Sequence, residues 1–363
     1  MGTRPEVIKL SPVIGRLRMA GWCRLVQLNS GQQGALLQRT LAEFGLEHEH
    51  VASAPGAAQH PVVLVEMLAA RLRPAMARAR PDIVLVHGDT ATALAGTQAA
   101  VELGIPVGHV EAGLRTYNLE HPFPEEGHRQ AIARLASLHF APTTAAMENL
   151  IREGVDPSSV LLTGNTVVDA MNGEDAAPSA RERAANPVAL VTLHRRELAP
   201  FVNSVIDGLA KALDDHPELA VILPAHPNPT ISAPLRAAFG SHPQVDIVQP
   251  LPHAQFLAQL AKASLVMTDS GGVQEEAATL GIPLVVAREV TERPEILTNG
   301  RAIVAGFDAE TLRRAIGWAL KLPRAAGRHA TFGDGRASDR IEMRLKAFFE
   351  TQESWPKLLA SAE

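Results

Sequence analysis

Cysteine is nearly missing from this chain of 363 residues. Cys23 stands alone, so no intrachain disulfide can form and no cysteine-rich zinc or iron–sulfur site can be assembled. A lone thiol fits a reducing compartment, and the cytoplasm is the expected location. No apolar run reaches the roughly 18 residues that suggest a membrane span, and Arg4, Glu6 and Lys9 stand where a signal peptide needs its apolar stretch. A net charge of −5 supplies no overall positive field, which argues against nucleic acid or a membrane surface as partner. No G-x-G-x-x-G follows a strand-like run, so nicotinamide is not expected; no H-E-x-x-H or carboxylate-rich loop is present, so no metal is expected either. No short-period repeat suggests a solenoid. What is there is ordinary for a globular protein, 46% hydrophobic and 20% charged, at a length that suggests two domains.

Short β-branched runs alternate with Ala/Leu-rich stretches, the pattern of βαβ units around a parallel sheet. Strands are predicted over Ile83–His87, Val107–Val110, Val160–Thr163, Ala189–Leu193, Ala220–Leu223, Val245–Val248, Leu265–Thr268 and Pro283–Ala287. Helices are predicted over Glu6–Ala20, Val62–Arg80, Thr90–Leu103, Glu125–Ala136, Asn203–His216, Gly272–Leu280 and Ala309–Leu320. The polar stretch from Met171 to Pro187 carries no strand signal and reads as a linker. The expected fold is α/β, with two facing doubly wound (Rossmann-like) domains. Residues 1–171 form the N-terminal one, 187–340 the C-terminal one, and 341–363 a terminal helix and tail. In open α/β sheets ligands sit beyond the carboxyl ends of strands, so the motifs that follow strands carry the argument.

The strongest is T-D-S-G-G-V-Q-E-E-A, Thr268 to Ala277, between a strand and a helix. Ser270 can donate its hydroxyl, Gly271 and Gly272 let a ligand approach backbone N–H groups, and the helix start favours a diphosphate. Glu276, one turn on, can accept from two ribose hydroxyls. The same residues also read as a Gly-rich turn with an N-cap serine. Upstream, V-H-G-D-T places Asp89 at a strand end, and H-V-E-A-G-L-R places Glu111 at the next. H-P-F-P-E-E-G-H-R adds Glu125, with Arg129 one turn later. Each acid alone could merely cap a helix or favour its dipole; their shared placement points to chemistry. His194, in T-L-H-R-R-E, and His226, in L-P-A-H-P-N-P, each follow a strand and suit a phosphate.

Taken in order, these motifs carry a family resemblance. G-T-R-P-E-V-I-K from Gly2, V-H-G-D-T from Val86, H-V-E-A-G-L-R from His109, P-E-E from Pro124, T-G-N-T-V-V-D from Thr163, H-R-R-E from His194, D-S-G-G-V-Q-E-E from Asp269 and T-E-R-P-E from Thr291 resemble the non-hydrolysing UDP-N-acetylglucosamine 2-epimerases over nearly the whole chain. The resemblance implies a glycosyltransferase-B-type fold, a homodimer, no cofactor, and a UDP-sugar held in an interdomain cleft. Carried over by motif, Arg4, Lys9, His194, Phe256, Ser270, Gly271, Gly272, Glu276 and Arg293 would hold UDP, and Leu251 would meet the uracil through its backbone. Asp89, Glu111 and Glu125 would be the acid/base group, with His194 also steadying the leaving diphosphate. Arg129 and His226 join the candidate substrate-binding residues.

The implied reaction is reversible epimerisation at carbon 2 by loss and re-addition of UDP. A hydrolysing relative would release N-acetylmannosamine and UDP instead, and a 2,3-diacetamido uronic acid version of the substrate shares the same motifs. The sequence departs from the family pattern in three places. Family members carry an apolar strand before G-T-R-P, where this chain has only Met1, so a start upstream of Met1 is expected. His128 stands where they usually have Asn. In N-S-G-Q-Q-G-A, Asn29 to Ala35, many bacterial members have T-x-Q-H-R and a polar residue that contact a second, activating UDP-N-acetylglucosamine; here only Gln32 is kept, and Met67 replaces an effector-binding Arg. Substrate activation is therefore not expected.

Overall fold

A computed structural model describes residues 1–50, 60–172, 186–225, 228–323, 325 and 327–360. Most of the predicted linker, residues 173–185, lies outside the described residues, and so does His226. The chain divides into two compact units: the first comprises Met1–Leu114, Phe123–Asn172 and Gly333–Glu363, the second Arg115–Pro122 and Gly173–Phe332.

In the first unit, β1 (Leu28–Asn29) pairs with β2 (Glu49–His50), and β3 (Val84–His87), β4 (Val107–Val110), β5 (Leu138–Ala141) and β6 (Val160–Leu162) form a parallel sheet in that order. Around them stand α1 (Arg4–Ala20), α2 (Gly34–Glu43), α3 (Pro61–Ala79), α4 (Ala91–Glu102), α5 (Glu125–Leu135), α6 (Thr144–Arg152) and α7 (Thr166–Ala170). Helix α1 starts where Glu6 turns back to accept the amides of Gly2 and Thr3, at 2.9 and 2.8 Å. Its face of Val7, Leu10, Val13, Ile14 and Leu17 is buried against Leu138 and Phe140 of β5 and Leu37 and Leu41 of α2. The Met1 backbone nitrogen donates to the Leu28 carbonyl at 2.9 Å.

The second unit holds β7 (Val188–Thr192), β8 (Ala220–Pro224), β9 (Val245–Val248), β10 (Leu265–Thr268), β11 (Leu284–Val286) and β12 (Ala302–Val304). All run parallel in the spatial order β12-β11-β10-β7-β8-β9, which is the doubly wound Rossmann order. The connecting helices are α8 (Val202–Asp215), α9 (Pro229–Phe239), α10 (His253–Lys262), α11 (Gly271–Thr279) and α12 (Ala309–Lys321). Val191, Met267 and Val285 of the sheet join Val205, Leu209, Leu312 and Ile316 of α8 and α12 in one core.

The last helix, α13 (Ala337–Ala360), returns to the first unit. The expected boundary at residue 340 therefore falls inside a helix, and the chain leaves the second unit at Phe332. The physical reason is local. Asp169 accepts the amides of Ala337 and Ser338 at 3.1 and 2.8 Å and so caps α13, while Ile341 and Leu345 enter the core of α1. No described helix is long and apolar enough to cross a membrane.

Candidate active site

In the first unit Asp89 and Glu111 follow the carboxyl ends of strands, and Glu125 opens a helix. Glu111 follows β4 with a left-handed backbone at φ +64, a conformation a non-glycine residue adopts only where its surroundings impose it. Its side chain is 7% exposed. It pairs with Lys9 from α1, accepts from the Asn165 amide at 3.2 Å, and lies 3.8 Å from the His87 ring. Burial pushes the His87 imidazole below its ordinary value although Glu111 opposes this, so His87 stays neutral at pH 7. Lys9 thus has its charge set against Glu111 in a buried pair.

Asp89 stands on the turn after β3, one residue beyond Gly88, whose φ is +65. Its carboxylate pairs with Arg129, a buried guanidinium on α5 that also meets Glu126 at 3.5 Å. Glu125 opens the same helix one turn before Arg129. One Glu125 carboxylate oxygen is buried with no hydrogen-bond partner among the described residues. Arg4, at the start of α1, is only half-buried, and its amide donates to Gln33 at 2.7 Å.

The second unit presents backbone rather than acids. His194 follows β7 and Ser270 follows β10, the two strands between which the chain order reverses, so both stand at the switch point where such sheets bind ligands. Ser270 is the N-cap of α11, with its amide donating to the Thr268 hydroxyl at 2.9 Å and its own hydroxyl making no cap bond. Gly271 and Gly272 then open the helix, and at Gly272 an added Cβ would meet nothing within 4 Å. Glu276, one turn further, lies 3.0 Å from the His253 ring.

Beneath this cradle lies a residue that was not singled out in the sequence. Asp269 is fully buried and accepts the amides of His194 and Arg195, both at 2.8 Å, while His194 Nδ1 is 3.0 Å from its other oxygen. Burial raises its pKa, but His194 and the two amides outweigh that and hold the carboxyl below its ordinary value. Arg293 is likewise buried. It pairs with Glu275 and Glu292, and its guanidinium lies so close to Gly271 that a Cβ there would come within 2.4 Å. Glu292 also takes Arg288 at 2.7 Å and lies 3.6 Å from Arg195. Arg293 therefore stands in a buried charge network under the helix start. Phe256 is buried on α10 and Leu251 half-buried just before it.

The site residues form two groups by unit. The first is Lys9, Asp89, Glu111, Glu125 and Arg129; the second is His194, Ser270, Gly271, Gly272 and Glu276. His87, Asn165, His253, Asp269, Glu275 and Glu292 were missed, although every one except His253 lies inside a motif quoted above. Among the described residues no cluster of three His, Cys, Asp or Glu side chains is arranged to hold a metal ion.

Two Rossmann-like units with these elements define an α/β protein of glycosyltransferase-B type. A family model described as UDP-N-acetylglucosamine 2-epimerase matches residues 16–346. The chain is 36% identical to the UDP-N-acetylglucosamine 2-epimerase of Escherichia coli K12 over 366 residues, covering 95% of this chain and 96% of that protein. Its identity to the Bacillus subtilis enzyme of the same name is 36% over 354 residues, covering 94% and 92%. Among solved structures, the Neisseria meningitidis UDP-GlcNAc 2-epimerase bound to UDP-GlcNAc matches with a TM-score of 0.87 at 31% identity, covering 95% of this chain and 98% of that one. The chain belongs to the UDP-N-acetylglucosamine 2-epimerase family and is by class an isomerase.

Proposed function

We propose that this protein, as a homodimer, interconverts UDP-N-acetylglucosamine and UDP-N-acetylmannosamine by eliminating and re-adding UDP, without hydrolysing the sugar nucleotide. The proton on carbon 2 has no adjacent carbonyl to acidify it, so a carboxylate cannot remove it directly. As the bond from carbon 1 to the diphosphate breaks, carbon 1 becomes oxocarbenium-like and the carbon 2 proton becomes acidic. A carboxylate takes that proton, the C–H electron pair forms the double bond between carbons 1 and 2, and UDP leaves with the electrons of the C–O bond. The products are 2-acetamidoglucal and UDP. Return of a proton to the opposite face, with UDP re-adding at carbon 1, gives the 2-epimer. No oxidant enters this balance.

Delivery to the opposite face asks for more than one acid, and this is why the first unit's carboxylates carry the reading. Asp89, Glu111 and Glu125 serve as the acid/base group, with Lys9 and Arg129 setting the charge around the first two. Ser270 and the amides of Gly271 and Gly272 hold the diphosphate at the start of α11, Glu276 takes the ribose, and His194 steadies the leaving group. The observation that carries the proposal is the buried Lys9–Glu111 pair at the end of β4, where Glu111 adopts a strained backbone. Proton NMR of the protein with UDP-N-acetylglucosamine in deuterated water tests it. Deuterium at carbon 2 of both UDP-sugars is expected; free N-acetylmannosamine with UDP would mark a hydrolysing enzyme, and retention of the original hydrogen would overturn the elimination.

A further inference from the structure

Asp89 belongs to neither a helix nor a strand. It sits on the turn that joins β3 to α4, so its carboxylate is aimed by Arg129 and by the two peptide units beside it. Both of their carbonyls are held by imidazoles from other elements. His109, on β4, places Nε2 at 2.8 Å from the Gly88 carbonyl oxygen, and His128, on α5, places Nδ1 at 2.8 Å from that of Asp89. Both rings are buried, His109 completely. The Gly88 amide donates to the Val110 carbonyl at 2.9 Å, which pins the turn to the same strand that carries His109.

A carbonyl oxygen only accepts, so the nitrogen that faces it must carry the hydrogen. The two rings must therefore hold opposite protons, His109 on Nε2 and His128 on Nδ1. Residue 129 extends the grip: α5 takes the Asp89 backbone through His128 and the Asp89 carboxylate through Arg129, two consecutive residues of one helix turn.

We propose that His109 and His128 are positioning residues that fix the Gly88–Asp89 turn and so aim the Asp89 carboxylate, each in the single tautomer that its carbonyl dictates. The inference rests on the proposed role of Asp89 in proton transfer and deepens it. Neither ring needs to touch substrate. A carboxylate freed to wander on its turn should still leave UDP-sugar binding intact, because the diphosphate is held elsewhere; it should lower the rate of the proton step.

The test uses the full chain, labelled with nitrogen-15 at histidine. The ring resonances assigned through His109→Gln and His128→Asn are expected to show His109 as the Nε2–H form and His128 carrying hydrogen at Nδ1. The loss of one positioning hydrogen bond, as in His128→Ala, should lower kcat about 10-fold with KM and the UDP dissociation constant within about 2-fold of wild type. His128→Asn, whose side-chain amide can donate to the same carbonyl, should recover most of that loss. The opposite hydrogen position at either ring, a His128→Ala enzyme with wild-type kcat, or an Asn variant as slow as the Ala variant would overturn the proposal. If His128→Ala does not fold, the Asn variant and the wild-type tautomers still decide it. A wild type that shows no exchange at carbon 2 would instead overturn the proposed function, and the catalytic half of this inference with it, while the tautomers would still show whether the turn is held.

Discussion

The two units use opposite means to hold a reactive environment in place. In the first, the groups proposed for proton transfer are charged side chains, two of which face a buried cation: Glu111 faces Lys9 and Asp89 faces Arg129. In the second, the groups proposed to hold the diphosphate are mainly the backbone amides and hydroxyl around Ser270 to Gly272. Of the charges there, Asp269, Glu275, Glu292, Arg288 and Arg293 are buried, the last four of them paired with one another. The difference teaches what each unit is built for. Proton transfer needs titratable groups near the reacting atom, whereas binding a diphosphate needs fixed donors whose charge does not change during turnover.

The sharpest way to break this comparison is to neutralise an acid of the first unit. Asp89→Asn and Glu111→Gln keep the shape and remove the charge; each should lower turnover by roughly 10²-fold or more. UDP affinity, measured by calorimetry, should stay nearly unchanged. A variant that lost UDP binding and kept its turnover would reverse the assignment of the two units.

A smaller effect is expected from the cradle. Gly271→Ala places a methyl group within 2.4 Å of the Arg293 guanidinium, which is itself tied to Glu275 and Glu292 and cannot swing aside cheaply. The start of α11 must shift, and UDP affinity should fall about 10-fold, equivalent to roughly 1.4 kcal/mol. Turnover at saturating substrate should survive. Gly272→Ala is the control, because nothing stands near its Cβ; equal losses in both would rule out Arg293 as the cause.

How much of this was legible beforehand depended on distance along the chain. Leu265–Thr268 has the predicted bounds because its apolar run between turn residues states it locally, and Val107–Val110 has them because valines bracket it between turn residues. Leu138–Ala141 was missed because L-H-F-A has no β-branched residue. Asp89 and Glu111 were legible for the same local reason, each following a strand, and Glu125 by its place after the two prolines at the start of α5. Their partners were not. Lys9 is 102 residues from Glu111, and Arg129 is 40 from Asp89. No spacing rule joins such positions; the sheet order does. Asp269 stood in plain view inside D-S-G-G, yet only the return of the H-R-R-E segment beside β10 shows that it serves His194.

Asp269 offers a third, still smaller test, on stability rather than turnover. It accepts two backbone amides in full burial, and hydrogen bonds to a charged group contribute about 1.5–3 kcal/mol each. Asp269→Asn keeps an acceptor oxygen and loses the charge, so a loss within that range is expected in urea unfolding at pH 7. The sign of its pH dependence follows from the depressed pKa. A carboxyl lowered by folding contributes fully above its ordinary 3.8 and loses that contribution as pH falls below it, through the folded value. The gap between wild type and Asp269→Asn should hold constant from pH 7 to 5. A gap that closed within that window would mean another group carries the effect.

The smallest expected effect is none at all, and it concerns the stretch from Asn29 to Ala35. In relatives that are activated by a second UDP-N-acetylglucosamine, this stretch supplies side chains to that molecule. Here the two glutamines are used inside the first unit. Gln32 accepts the amide and hydroxyl of Thr92 at 3.0 and 2.6 Å, and Gln33 accepts the amide of Arg4 at 2.7 Å, so they fasten the starts of α4 and α1. Gly34 and Ala35 offer no side-chain donor, and Met67 offers no charge. Each charge-assisted bond missing from a diphosphate site forfeits about 1.5–3 kcal/mol, and losing two of them weakens binding by roughly 10²- to 10⁴-fold. The expected outcome is that purified protein converts UDP-N-acetylmannosamine from the first moment, at a rate that a trace of UDP-N-acetylglucosamine does not raise. A lag abolished by that trace would show that the protein binds an effector by other residues.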